Sequence, residues 1–330
     1  MPNYNSTLQT NNSDLQAILD MVNALPEAGE SGSSSENEDM LITKDFGSSY
    51  TNNRVDKIAA AVFNSVNTLT TVDFPCVTYI GSSAFAYCYK LTNINFPSAT
   101  FIGTSAFASC DKLYHIDFPS VQTIGAGAFH SCSYLYTVDF PVATGLSNQA
   151  FFNCHRLESV DFPMAEYIGG QVFCNCSKLS IASFPVTSYI GSSAFYNCSN
   201  LNTINAPMAQ TIYWGAFRSC SNLTSVNLPL VTSIGSSTFY ACNKLSSVTF
   251  PVIELIGSSA FYNCFNLKSL YLTGSSICTL SNSNAFTSTP IGGYSTSAGT
   301  YGSIYVPASL IASYKGATNW TYFSSRFVGI

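Results

Sequence analysis

The chain has 330 residues, of which 46% are apolar and only 9% are charged, and its formal net charge is −5. Residues 1–56 carry a net charge of −7 and the remainder carries +2, so the body of the chain is nearly neutral and offers no basic surface for nucleic acid. No apolar run is long enough to span a bilayer.

The first predicted element is an amphipathic helix within residues 1–26. In SDLQAILDMVNALP, Ser13 and Gln16 fit a capping box, and Pro26 ends the helix. The apolar positions follow the 3,4,3 spacing of a coiled-coil seam: Leu15, Ile18, Val22 and Leu25. Three interpretations stay open: docking on the first repeat, self-association or attachment to another assembly, and disorder.

An acidic Ser/Gly linker is predicted over residues 27–45, because EAGESGSSSENED has the composition of a disordered tether. The chain start, MPNYNSTLQTNNSD, lacks the basic and apolar regions of a secretory signal. Removal of a leader, another export route, and a cytoplasmic or virion-associated location are all compatible with this observation.

A 22-residue period dominates the rest of the chain. Nine prolines recur at this interval from Pro75 to Pro251, and nine cysteines do so from Cys88 to Cys264. Phenylalanines from Phe85 to Phe261 and leucines from Leu91 to Leu267 keep the same step. A fixed period in this range predicts a solenoid in which each repeat is one coil.

Within one repeat, Leu91–Phe96 (LTNINF) alternates like a short half-buried strand, which Pro97 ends because it has no N–H to donate. Ile102 predicts a second extended segment, and we expect Gly103 to form a turn at positive φ. The segment TSAFASC predicts one helical or 3-10 turn. Its inward side chains should be Ala106, Phe107 and Cys110.

The I-x-F-P, I-G-x-x-A-F and C-x-x-L elements of this repeat resemble the BspA-type leucine-rich repeats of bacterial surface proteins. The resemblance implies an α/β leucine-rich-repeat solenoid, curved and right-handed, over residues 46–273, with about ten repeats from residue 58. Residues 274–330 would form a C-terminal connection and cap, because IYVPASLIASYKGATNW looks like the terminal cap of that family. For some members the family implies adhesion to host proteins or other cells.

The cysteine ladder predicts free buried thiols, because parallel rungs do not bring Cβ atoms together as a disulfide requires. A zinc site at Cys154, His155, Cys174 and Cys176 is the weaker alternative, since Cys174 should point away from Cys176. The sequence contains no phosphate loop and no metalloprotease motif, and His115 beside Asp117 is the best acid–base pair. We therefore expect no enzyme activity, no cofactor and no metal.

Three consecutive aspartates occupy the outward position of the strand: Asp117, Asp139 and Asp161. Like charges on neighbouring strands repel, and we expect nearby cations to offset this: Lys90, Lys112, Arg156 and Lys178. Tyr114 and Tyr136 would add rigid contact area. The column is either a solvated polar face or a binding patch for a basic or cation-bridged ligand.

These patterns favour a non-enzymatic binding or adhesion module that uses the strand face and takes a protein or glycan partner. The alternative is a structural component of a larger assembly, such as a phage tail or fibre-like appendage, attached through the N-terminal helix. The resemblance implies a secreted or cell-surface location.

Overall fold

The computed structural model describes residues 48–293 and 301–330. The predicted N-terminal helix, its seam of Leu15, Ile18, Val22 and Leu25, and the linker at 27–45 lie outside the described residues. In the part described, the chain forms a β-solenoid in which eleven coils contribute two short strands each, and the strand pairings between coils are parallel.

The first strand of each coil is three or four residues long and alternates buried with exposed positions, as the I-x-F pattern predicts. Its last outward residue precedes a buried aromatic or aliphatic residue and then proline in most coils, so the strand is short. The first strands are Ser49–Thr51, Thr71–Asp73, Asn93–Asn95, His115–Asp117, Thr137–Asp139, Ser159–Asp161, Ile181–Ser183, Thr203–Asn205, Ser225–Asn227, Ser247–Phe250 and Ser269–Leu272, and two strands of the C-terminal region continue the last of their sheets, Ser303–Val306 and Phe327–Gly329.

The second strand of each coil has two residues, and eleven such strands form one parallel sheet. Their register is set by the period, since Tyr167 pairs with Tyr189 and Ile168 pairs with Ile190. The second strands are Lys57–Ile58, Tyr79–Ile80, Phe101–Ile102, Thr123–Ile124, Gly145–Leu146, Tyr167–Ile168, Tyr189–Ile190, Thr211–Ile212, Ser233–Ile234, Leu255–Ile256 and Thr279–Leu280.

The core consists of columns of identical side chains, one rung per coil. The rings of Phe85 and Phe107 stack at 5.1 Å with an interplanar angle of 4°, and Phe96 of the strand column packs edge-on against Phe107 at 6.0 Å. Leu91 and Cys88 are fully buried, as are their counterparts in the other cysteine-bearing coils. Each side chain therefore packs against its copies above and below, and stability comes from neighbouring coils.

Gly103 does not adopt the positive φ that the sequence suggests. A Cβ atom on Gly103 would lie 2.6 Å from the backbone nitrogen of Ser82 and 2.7 Å from the carbonyl carbon of Gly81. Gly125 shows the same crowding against the backbone of Gly103, at 2.6 Å. At Gly103 and Gly125 the backbone of the preceding coil leaves no room for a Cβ atom, whereas the equivalent position of two later coils carries Ser147 and Tyr213.

The segment Ser105–Ser109 forms consecutive tight turns instead of the expected helical or 3-10 turn. Ser105 and Ser109 both have left-handed backbone conformations, with φ of 54° and 57°. As a result the backbone N–H groups alternate in direction: that of Ala106 donates to Gly103 in its own coil, whereas that of Phe107 donates to Ala128 in the next. The turns thus join the coils as a ladder on this side too.

The C-terminal region closes the stack of core rings. After Thr279–Leu280 come the 3-10 helix Ser283–Phe286, the 3-10 helix Ala308–Leu310, the α-helix Ile311–Gly316 and the 3-10 helix Thr321–Arg326. Phe286 stacks on Phe261 at 5.5 Å and is covered on its far side by Trp320 and Phe323. The indole Nε1 of Trp320 donates to the carbonyl oxygen of Cys278 at 2.8 Å, so the cap is also hydrogen-bonded to the last coil.

Candidate functional site

The three predicted aspartates lie at the outward ends of neighbouring first strands and are all exposed. Asp117 pairs directly with Asp139 in the parallel register, and Asp161 occupies the same position one coil further on. Among the described residues, no cation and no hydrogen-bond donor contacts these three carboxylates. Asp73 in an earlier coil differs, because Asn95 donates a 2.8 Å hydrogen bond to it. The three aspartates therefore form the uncompensated anionic part of this column.

Tyr114 and Tyr136 come together as predicted, immediately before their strands. Their rings are stacked at 5.1 Å with an interplanar angle of 4°, and Tyr114 is 53% exposed. The hydroxyl of Tyr136 donates to the carboxylate of Glu158 in the next coil, and this hydrogen bond raises the pKa of Tyr136. Contacts between coils thus hold the two rings in a fixed orientation with one face of Tyr114 open to solvent.

The expected compensation of the aspartates by neighbouring cations is wrong. Lys112 and Arg156 instead lie on either side of the ring of Tyr134, at 4.5 Å and 4.2 Å from its centroid. Their column is separated from the aspartate column by the tyrosine pair, since Lys112, Tyr114 and Asp117 follow one another along the chain. The strand face therefore carries separate basic, aromatic and acidic columns. Cation–π contacts account for the position of the two cations.

The histidines are engaged in bonds between coils. His115 Nδ1 lies 2.6 Å from Thr137 Oγ1 in the next coil, and His155 Nδ1 donates to the carbonyl oxygen of Asn175 at 2.8 Å. His115 thus has a coil-to-coil partner, with no hydrogen bond to Asp117 within the described residues. Over residues 48–293 and 301–330, no group of three His, Cys, Asp or Glu side chains is placed to hold a metal ion.

A row of exposed apolar side chains, which we call the apolar ridge, was missed by the sequence reasoning. It occupies the position after the proline in six consecutive coils, where each side chain is 39–52% exposed. Its members are Val142, Met164, Val186, Met208, Leu230 and Val252. The signal was present in the sequence, because this position is filled by Cys, Ser and Ser in the preceding three repeats and by apolar residues in these six.

The ladder thiols are free and are themselves hydrogen-bonded. In each of the nine coils the cysteine donates to the carbonyl oxygen of the core phenylalanine one coil earlier, as Cys110 does to Phe85 at 3.1 Å. Burial raises the pKa of these thiols, that of Cys132 to about 12. The cysteines therefore belong to the core and leave the outward face to the tyrosines and aspartates.

The repeat register identifies the family. The model for the BspA-type leucine-rich repeat region matches residues 44–157, 100–224 and 210–296, which together span most of the chain and all eleven second strands. The chain belongs to the BspA-type leucine-rich repeat family. No curated protein matches the sequence significantly.

Several solved structures are similar to this BspA-type chain. A leucine-rich repeat protein from Bacteroides ovatus is 24% identical, with 84% of this chain and 88% of that one covered and a TM-score of 0.40. A leucine-rich cell surface protein from Faecalibacterium prausnitzii is 22% identical, with coverages of 70% and 88% and a TM-score of 0.36. The pneumococcal vaccine antigen PcpA is 18% identical, with coverages of 90% and 80% and a TM-score of 0.48.

Over the described ranges, none of the helices has the length and apolar character required to cross a membrane.

Proposed function

We propose that this BspA-type chain is a non-enzymatic binding module of the cell surface that holds a protein partner on its strand face. The observation that carries the proposal is the tyrosine pair: an exposed ring, fixed by stacking on Tyr136, immediately precedes the strand that ends at the unpartnered carboxylate of Asp117. Rigid aromatic rings supply contact area at a low cost in conformational entropy and are enriched at protein interfaces.

The charge of the patch defines the partner. Asp117, Asp139 and Asp161 lie roughly 5 Å apart along the stack, so their mutual repulsion is relieved when a cation approaches all three. A basic segment of a protein, or a divalent cation shared with the partner, would supply that charge. The apolar ridge begins at Val142, three residues beyond Asp139, and would extend the contact area along the later coils.

Membership of the BspA-type leucine-rich repeat family supports a cell-surface location. Inward columns fix the backbone of each coil, so outward residues can differ between coils at little cost in stability. This arrangement suits a scaffold that presents a binding surface.

The test compares two variants that remove the same charge. In the strand-face variant, asparagine replaces Asp117, Asp139 and Asp161. The matched control is Asp56→Asn with Glu166→Gln and Glu254→Gln, three exposed acids in the column that precedes the second strand. Immobilised wild type and both variants are incubated with extracellular fluid, and the retained proteins are quantified by mass spectrometry. A partner retained by the wild type and the control should be lost from the strand-face variant.

The salt dependence of the interaction provides a second measurement on the same partner. Exposed charges are screened at physiological ionic strength over about 8 Å, so the wild-type affinity should fall as salt rises and the affinity of the strand-face variant should change less. A partner that binds the strand-face variant as tightly as the wild type would overturn the assignment of this face.

A further inference from the structure

The turn side of the solenoid carries a second column of stacked side chains, at the position after the core phenylalanine. His130 stacks on Phe152 at 4.9 Å, and Tyr240 stacks on Tyr262 at 5.1 Å. The guanidinium of Arg218 lies 4.4 Å from the ring of Tyr240. This column is outside the core, because its rings are partly exposed.

The column stops at His130, and a groove takes its place. The two preceding rungs are Ala86 and Ala108, and the space they leave is a groove of about 400 Å³ that spans four coils. Gly127 enlarges it, since the next coil carries Gln149 at the equivalent position. This volume lies within the range of small-molecule sites, roughly 300–1,000 Å³. One face of the His130 ring packs on Phe152, and the other borders the empty rung of Ala108.

The groove walls are rich in hydroxyl groups. Ser83, Thr104, Ser105 and Ser109 line the groove, and within the described residues their hydroxyls have no hydrogen-bond partner. A hydroxyl group both donates and accepts hydrogen bonds, so these four side chains can form hydrogen bonds with a ligand that itself bears hydroxyl groups.

We propose that this groove binds a pyranose ring of a carbohydrate, with the ring lying in the empty rung of Ala108 against the face of His130. The ring-to-ring distance of about 5 Å in the column leaves room for one ring at each missing rung. The hydroxyls of Thr104 and Ser105 then meet the sugar hydroxyls at the groove wall. A phenyl ring would also fill the rung, but it would leave these polar groups unpaired at the contact.

The neutral form of His130 suits this stacking. Burial lowers the pKa of His130, and its Nδ1 is 2.9 Å from Ser131 Oγ, which leaves Nε2 for a ligand. The groove lies on the turn segments, separate from the tyrosines and aspartates of the strand face. The carbohydrate proposal therefore goes beyond the proposed function, and an experiment can overturn either proposal without affecting the other.

The test is a titration of the ¹⁵N-labelled full chain with methyl glycosides of glucose, galactose, mannose and N-acetylglucosamine, followed by NMR. At least one glycoside should shift the amide signals of Thr104, Ser105, Ser109 and His130. Ala108→Phe fills the empty rung with the side chain found at Phe152 and should weaken this glycoside at least about tenfold. Ala312→Phe, at an exposed alanine of the C-terminal helix, should leave the affinity unchanged.

Gly127→Gln introduces the residue that the next coil carries at the equivalent position and narrows the same groove, so it should also weaken binding of the glycoside. This variant replaces Ala108→Phe in the test if Ala108→Phe does not fold. N-acetyltyrosinamide is titrated in parallel as an aromatic probe. The proposal is overturned if no glycoside shifts these signals, if the shifts persist in both groove variants, or if N-acetyltyrosinamide alone produces them, which would make the groove a peptide site.

Discussion

The thiol of Cys110 donates a hydrogen bond to the carbonyl oxygen of Phe85, 3.1 Å away and one coil earlier. The same carbonyl also accepts from the backbone N–H of Cys88 within its own coil. The bond recurs in all nine cysteine-bearing coils, so each ladder cysteine both fills the core and ties its coil to the preceding one.

Replacing Cys110 with valine keeps an apolar side chain of similar size and removes the donor. Because the Phe85 carbonyl retains its bond from Cys88, we expect a loss of about 0.5–1.5 kcal/mol in the free energy of unfolding, the usual net value of one hydrogen bond. Chemical denaturation measures it. Cys76→Val, at an exposed cysteine, should have no comparable effect, and an equal loss at both positions would refute the role given to the thiol.

Thiol reactivity should separate one cysteine from the other eleven. Cys76 is exposed and the others are buried, so the native, unreduced protein should react rapidly with an aromatic disulfide reagent at a single thiol. After unfolding in guanidinium the count should rise to all twelve. A count near two or three in the unfolded, unreduced protein would mean that the ladder is oxidised.

Alkaline pH should destabilise the fold through the same thiols. Burial raises the pKa of Cys132 and of Cys264 to about 12, whereas an unfolded thiol titrates near 8.5. As pH rises, the two thiols therefore ionise in the unfolded chain before they ionise in the folded chain. The folded state keeps its full stability below about pH 8.5 and loses stability as pH rises toward 12. At pH 10 the loss should be about 2 kcal/mol per thiol.

The measurement is the melting temperature between pH 7 and pH 10. The double variant Cys132→Val and Cys264→Val lacks both titrations, so its melting temperature should fall less over this range than that of the wild type. Parallel curves for the two proteins would contradict the assignment.

The sequence predicts the repeat and its core because each inward side chain packs against an identical side chain one period later, in the next coil. Phe107, Cys110 and Leu113 recur every 22 residues and are fully buried. The tyrosine pair could also be predicted, since Tyr114 and Tyr136 are one period apart and so become neighbours. In such a fold, residues that are one period apart in the sequence are neighbours in the structure.

Features that depend on backbone conformation could not be predicted in this way. The sequence does not reveal that Ser105 and Ser109 are left-handed, because serine has no special preference for that conformation. It also does not distinguish a glycine required for positive φ from one required for close packing, and Gly103 belongs to the second kind. The partner of Lys112 depends on the direction of its side chain at a corner of the coil, where its Nζ lies 4.5 Å from the ring centroid of Tyr134.

Close packing at Gly103 gives a direct test. A methyl group there would overlap the backbone of Gly81 and Ser82, so Gly103→Ala should cost about 1–3 kcal/mol in the free energy of unfolding, as overpacked sites do. Gly316→Ala is the matched control, since no atom lies within 4 Å of a Cβ at Gly316. Equal midpoints of denaturation for the two variants would show that the coils can move apart.

Excision of one complete period tests whether the coil is the unit of folding. Removal of residues 168–189 joins Tyr167 to Ile190, and because Tyr167 pairs with Tyr189 in the second-strand sheet, the junction reproduces the native sequence Tyr-Ile. Every inward column stays in phase, so the shorter solenoid should unfold cooperatively at a melting temperature near that of the wild type.

Removal of residues 168–188 is the control for that excision, since it differs by a single residue. It joins Tyr167 to Tyr189 and shifts the next coil by one position, which turns Ile190 and the core residues after it out of register. A coil cannot bury its phenylalanine and cysteine in that register, so this variant should melt at a clearly lower temperature and bind a hydrophobic dye. Similar melting curves for the two deletions would mean that the solenoid absorbs an extra residue, and the 22-residue coil would not be the unit that fixes the core.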